Sequence, residues 1–275
     1  MTRVRPHRDA SGHRAGRRIL GSAGLGLLLL APVACGDGED SAAPTTSASG
    51  GPQTSSSLAP STTNATTSTT SPFGTTFAYQ PLWPFRSLEE VTAWQREYRA
   101  GGQQAWHLDP GQTALNFASG YLGFREVDRT TSSSTSGDGV LIGVGYETEG
   151  GRTGTAAVVH LLRFGPGPDA PWEVVGTEDS FFSLTNPSYG ARVTSPLTAG
   201  GRITGVDESI RVEVRQVSSA APLGEFCCVP AGGEGSPWQA TVTFRGASDG
   251  VLTVVASTGG HLLRVERFTV TAVRV

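Results

Sequence analysis

Cys227 and Cys228 stand side by side, and among the chain's three cysteines they are the pair whose spacing could do chemistry. Adjacent cysteines in an oxidising compartment are expected to close into a vicinal disulfide, which could serve as a rigid feature or a redox switch. A soft-metal pair is the other reading. Metal sites usually space their cysteines by two or more residues, and no histidine flanks this pair. A disulfide that stiffens a loop, without activity of its own, is the favoured expectation.

The remaining candidates are weaker. Gly246-Ala247-Ser248-Asp249-Gly250 fits the spacing of a hydrolase nucleophile elbow, which needs a strand before it and a helix after it. Residues 251–256 read as a strand, so a hairpin turn is expected here. His107, His160 and His261 form no metal-binding spacing; His160 is expected to be a satisfied core residue and His107 to hydrogen-bond locally. Glu178 and Asp179, as strand neighbours, would point to opposite faces and could not share acid–base work. Glu89 and Glu90 suit a helix first turn, where the dipole stabilises acids. Trp83, Phe85, Trp94, Tyr98 and Trp106 could offer an exposed aromatic surface to carbohydrate or wall peptide, but core packing is the expected role. All 21 basic residues are arginine. The absence of lysine excludes a phosphate-binding loop, a Schiff-base lysine and a Ser-x-x-Lys acylation site. No catalytic residue, cofactor or metal site is expected.

The elements that would carry these residues begin with an export signal. Arg3, Arg5, Arg8, Arg14, Arg17 and Arg18 precede an apolar run from 19 to 34. That run is shorter than the roughly 20 residues a membrane-spanning helix needs, and the pattern is that of a secretory signal peptide over 1–34. Val33-Ala34-Cys35, followed by Gly36, Asp37 and Gly38, resembles the lipobox of bacterial lipoproteins, although Pro32 stands where that family has Leu. The resemblance implies a diacylglycerol thioether on Cys35 with palmitate-like acyl chains, and so anchoring to the outer face of the cell membrane. Removal of 1–34 takes away six Arg and one Asp, changing the formal net charge from −3 to −8. An acidic chain without a basic block is a poor nucleic-acid binder.

Residues 35–75 are Ser, Thr, Pro, Gly and Ala with few large apolar side chains, a composition that predicts a disordered tether. A flexible chain of about 40 residues has an r.m.s. span on the order of 35 Å. Two folded domains are expected beyond it, divided at 186/187. In 76–186, Ser87 with Glu90 and Asp109-Pro110 with Gln112 mark two helix starts, with a helical pattern running from the second to Gly123. Strands follow over 140–146, 155–164 and 172–177, so an α+β domain is predicted. In 187–275, Ile210, Val212 and Val214 alternate with charged residues, and Trp238, Ala240, Val242 and Phe244 alternate with polar ones. Further short strands at 193–194, 198–203, 251–256 and 261–273 complete an all-β sandwich.

The stretch Val193-Thr194-Ser195-Pro196, then Arg202-Ile203-Thr204-Gly205, then Ile210 to Val214 and Trp238 to Phe244, resembles the immunoglobulin-like domain of bacterial spore germination, of the GerMN-associated type. The segment around Cys227-Cys228 is an insert relative to that pattern. The resemblance implies an extracellular accessory module with no catalytic residues and a possible tie to sporulation or germination. The function expected is non-catalytic recognition of cell-wall glycan or an envelope protein. The rivals are a wall-acting enzyme with its site in 76–186 and a solute-binding lipoprotein.

Overall fold

The computed structural model describes residues 79–275 apart from Asp138 and Asp179, and without the side chains of Val206 and Asp207. The expected signal peptide, Cys35 and the tether lie outside the described residues.

Both helix starts form as their residues dictate. Ser87 caps α1 (Leu88–Gly101), its hydroxyl accepting from the Glu90 amide at 3.3 Å. The return arm of the box is displaced by one residue: Glu90 accepts from the Arg86 amide at 2.7 Å. Gly102 ends the helix at φ 70°, a left-handed position that suits glycine. After a short 3₁₀ turn at Ala105–Leu108, Asp109 caps α2 (Pro110–Leu115) by accepting from Gln112 at 3.0 Å. α2 does not run on to Gly123 as an α-helix. Its last stretch, Asn116–Tyr121, widens into a π-wound turn.

Two sheets follow. The first is an antiparallel meander of β1 (Arg129–Ser136), β2 (Gly139–Glu147), β3 (Thr153–Arg163) and β4 (Trp172–Glu178). β2 to β4 lie where the apolar runs predict them. β1 is all Arg, Thr and Ser and carries no apolar alternation, so it escaped the sequence pattern; it forms by pairing with β2 at the sheet edge. The segment at Leu82 and Trp83 bonds along the far side of β4, with Leu82 donating to Val174 at 2.9 Å and Val174 to Trp83 at 2.8 Å.

The second sheet has the order β5-β9-β8-β6-β7, from β5 (Ala191–Arg192), β6 (Leu197–Arg215), β7 (Gly224–Val242), β8 (Val251–Thr258) and β9 (Arg267–Arg274). Four of the sequence expectations need correction here. The strands expected separately at 198–203 and 210–214 are one long strand, bent at bulges around Gly205. The segment holding Cys227 and Cys228 is not a loop but part of β7. Residues 261–266 form turns, and β9 begins only at Arg267. The turn at Gly246 to Gly250 does not close a hairpin, because β6 lies between β7 and β8 and the connection crosses it.

β6 and β7 form one long hairpin that folds back on itself. Its turn end meets its open end, where Arg245 donates to Leu223 at 3.1 Å and Leu223 to Val214 at 2.8 Å. The two arms enclose Ile203, Ile210, Val212, Trp238, Val242 and Leu252, a sandwich-like core. The protein is therefore mostly β, with sandwich-like sheets and few helices.

A second core joins the sheets. Phe117 and Ala118 after α2, Val144, Val159 and Val174 of the first sheet, and Val255, Phe268 and Val270 of the second belong to one buried cluster. The chain does change sheets near the expected 186/187 division, yet this cluster draws on both sides of it. Thr177 on β4 and Thr269 on β9 meet hydroxyl to hydroxyl at 3.0 Å, and the Val270 amide donates to Thr177 at 2.9 Å. A smaller apolar cluster of Phe85, Val91, Trp94 and Phe164 seats α1.

Candidate functional site

A pocket of about 370 Å³ opens where these sheets meet. β4 supplies Val175, Gly176 and Thr177, β9 supplies Val270 and Thr271, and the 184–189 connection supplies Leu184, Thr185, Ser188 and Tyr189; Tyr79 and His160 of β3 complete the lining. The connection is held in place by Asn186, whose side-chain amide donates to Thr198 at 3.0 Å and whose carbonyl accepts from Gly200 at 2.8 Å.

The aromatic wall is preorganised. Tyr79 stands edge-on to His160, with centroids 5.4 Å apart, and to Tyr189 at 6.3 Å. The Tyr189 hydroxyl accepts from the Gln80 amide at 2.8 Å and donates to the Gln80 carbonyl at 3.2 Å. Burial of this hydroxyl raises its pKa, so it stays protonated and keeps both bonds. The residue as a whole remains 42% exposed. No carboxylate or guanidinium is among the lining residues. Hydroxyl groups beside aromatic faces suit a neutral, polyhydroxylated ligand.

His160 is only half-buried, and its buried Nε2 has no hydrogen-bond partner among the described residues, so the expected satisfied core histidine is not what forms. That nitrogen faces Gly139 of β2 closely enough that an added Cβ there would approach it to 3.0 Å. His107 is buried, tilted against Trp106 at 3.6 Å between ring centroids and close to Phe85 at 4.8 Å. Its Nδ1 makes no local hydrogen bond, and burial depresses its pKa to about 4. His261 is exposed, 4.0 Å from Glu266.

Ser248 is held by Gln216, which donates to its hydroxyl at 3.0 Å and accepts from its amide at 2.9 Å. That arrangement explains the turn and gives no activated nucleophile. Glu178 ends β4 exposed, and Asp179 lies outside the described residues. Glu89 is exposed in the first turn of α1 and its pKa is lowered by the Ser87 hydroxyl. Of the aromatic group, Phe85 and Trp94 are buried, while Trp83 stacks between Trp106 and Tyr121 at 5.4 and 6.2 Å. It packs the helices onto the first sheet rather than forming an open platform.

Cys227 and Cys228 are joined to each other in a disulfide within β7. Among the described residues no group of three or more His, Cys, Asp or Glu is placed to hold a metal ion, and no helix is long and apolar enough to cross a membrane. Sequence reasoning missed Tyr79 and Tyr189 as pocket residues. Tyr189 lies in an Asn-Pro-Ser-Tyr-Gly run that reads as a boundary loop, and only the docking of one sheet on the other turns that loop into a wall. It also passed over Glu173, fully buried on β4, whose carboxyl oxygen accepts from the Phe85 amide at 3.2 Å. No family model, curated protein or solved structure matches the chain.

Proposed function

We propose that this protein is a non-catalytic recognition lipoprotein of a bacterial cell envelope, anchored through Cys35 and binding neutral wall glycan in the pocket between its sheets. The observation that carries this reading is the pocket lining: Tyr79 and Tyr189 rings beside the hydroxyls of Thr177, Thr185, Ser188 and Thr271, with no carboxylate or guanidinium. Sugar C–H faces pack on such rings while sugar hydroxyls exchange hydrogen bonds with side-chain hydroxyls. A glycosidase needs a pair of carboxyl groups, and this lining offers neither, which favours binding over hydrolysis. The −8 charge of the exported chain argues against anionic polymers as the ligand.

In this reading the tether over 35–75 carries the pocket away from the bilayer and into the wall. The α+β part, 76–186, supplies β4 and His160. The 187–275 part serves as an immunoglobulin-like module of the kind it resembles in spore germination; the folded hairpin and its enclosed core support that assignment. A partner envelope protein is the second ligand class the pocket could serve.

The test is co-sedimentation of the exported chain with isolated, protein-free cell wall. Saturable pelleting is expected, weakened about tenfold or more by Tyr189→Ala. Release of reducing ends from the glycan would replace recognition with hydrolysis. Absence of pelleting would move the ligand to a protein, to be identified by crosslinking on intact cells.

A further inference from the structure

The disulfide occupies a β-bulge beside a second cavity. In the β6–β7 ladder Ile210 faces Val229 and Arg211 faces Cys227, which leaves Cys228 as the extra residue on β7. Bulges re-aim a side chain out of the regular alternation. Cys228 is thereby part of the wall of a cavity of about 180 Å³, together with Arg211, Arg264, Ser257 and Thr258. At roughly 30 Å³ per water, that is room for about six waters, the size of a small organic acid. Cys227 is exposed.

The charges around this cavity are nearly all matched. Arg211 pairs with Glu225, and Arg215 pairs with Glu213 at 2.6 Å. Glu208 accepts from the Thr258 hydroxyl and lies 3.9 Å from Arg267. Arg264, on the loop before β9, has no carboxylate partner among the described residues. The exposed Arg264, without a carboxylate partner, thus shares one small cavity with Ser257, with Cys228 of the accessible disulfide, and with Glu213, whose charge Arg215 already matches.

We propose that this cavity is a thiol–disulfide exchange site for a small thiol that carries a carboxylate. The carboxylate sits on Arg264 and accepts from the Ser257 hydroxyl, while the Thr258 hydroxyl stays bonded to Glu208. The thiolate attacks Cys228 Sγ, a new S–S bond forms, and the Cys227–Cys228 bond breaks. Cys227 leaves as a thiolate and takes a proton from water. A second thiolate then attacks the small-molecule sulfur of the mixed disulfide and releases Cys228. Two small thiols are oxidised to their disulfide, and the protein disulfide gains two electrons and two protons. Holding the carboxylate raises the effective concentration of the thiolate at the sulfur, which is where the rate advantage arises. The reading is independent of glycan recognition, because it uses none of the residues of the seam pocket.

The experiment compares mercaptoacetate with 2-mercaptoethanol, at equal thiolate concentration, as reductants of the full exported chain. Alkylation and mass measurement count the thiols formed. The protein is acidic, so long-range charge alone would make mercaptoacetate the slower reagent. The expected result is reduction about tenfold faster by mercaptoacetate, falling to parity in roughly 1 M salt, where the Debye length is about 3 Å. Arg264→Gln is expected to slow mercaptoacetate about tenfold and 2-mercaptoethanol much less, so that the preference is lost, and Arg264→Lys to keep part of it. Equal or slower reduction by mercaptoacetate, a preference that survives in Arg264→Gln, or two free thiols in the exported protein would each overturn the proposal.

Discussion

Glu173 and His107 are both buried in contact with Phe85, one through its amide at 3.2 Å and the other against its ring at 4.8 Å. Burial drives their pKa values apart in the sense that leaves both neutral. The carboxyl is raised well above its usual range, and the imidazole is lowered to about 4. The raised carboxyl favours folding most fully below the unfolded pKa near 4.5, and that advantage is lost as pH rises. The lowered imidazole favours folding above about 6.5 and loses that advantage as pH falls toward 4. Glu173→Gln keeps an acceptor for the Phe85 amide and removes the acid. It is expected to change stability little at pH 5 and to raise it at pH 8 by on the order of 1 kcal/mol or more, about 2–4 °C in Tm for a chain of this size. A thermal melt at both pH values checks this; an equal Tm change at both would show that the carboxyl is not kept protonated by the fold. Nothing in the local sequence marks Glu173, since Trp172-Glu173-Val174 reads as an ordinary alternating strand. Its burial comes from the segment at 82–85, which lies against β4.

The helices are the elements most legible in the chain, because their signals are local. Ser87, Gly102, Asp109 and Pro110 each do at their own positions what their backbone and side-chain preferences dictate. Ser87→Ala removes the acceptor for the Glu90 amide and is expected to cost about 1 kcal/mol, measured as a drop of about 2–4 °C in Tm. A melt unchanged by this substitution would mean that tertiary contacts alone hold the start of α1. The strands divide by the same logic. β2, β3 and β4 have apolar runs and are found where those runs lie. β1 has only hydroxyl-bearing and charged side chains, and its partner, not its pattern, makes it a strand. The segment at Cys227 and Cys228 looks like a loop insert because Gly224, Pro230 and the glycines after it interrupt any alternation. Pairing with β6 over fifteen positions extends the strand through them, with the bulge at Cys228 taking up the mismatch.

At the scale of the whole molecule, the two sheets share an apolar cluster that crosses the division expected at 186/187. Val144, Val159 and Val174 are each fully or almost fully buried with Phe268 and Val270 from β9 beside them. Residues 76–186 produced alone would present that face to water. They are expected to bind a hydrophobic dye and to melt without a cooperative transition, whereas the full chain melts in one. Two separate transitions in the full chain, with the upper or lower one reproduced by 76–186 alone, would show that each part is self-sufficient. The seam pocket belongs to this scale as well. Its walls come from residue 79, β3, β4, the 184–189 connection and β9, and no short stretch of sequence contains it.

Residue types and their spacing were enough for both helix starts and the end of α1, the inward face of each amphipathic strand, the acidity of residues 35–275 and the chemistries closed to a protein without lysine. Each of these depends on residue type and near-neighbour spacing, which propensity, capping and charge translate directly into behaviour. Only the tertiary structure decided which strands are neighbours, that the β6–β7 hairpin folds back to enclose its own core, that Cys228 turns into a cavity with Arg264, and that Tyr189 closes a pocket with Tyr79. These depend on contacts between residues tens of positions apart. Such contacts form because apolar faces must be buried against one another and backbone groups must be paired, and the chain satisfies both only once its sheets are assembled.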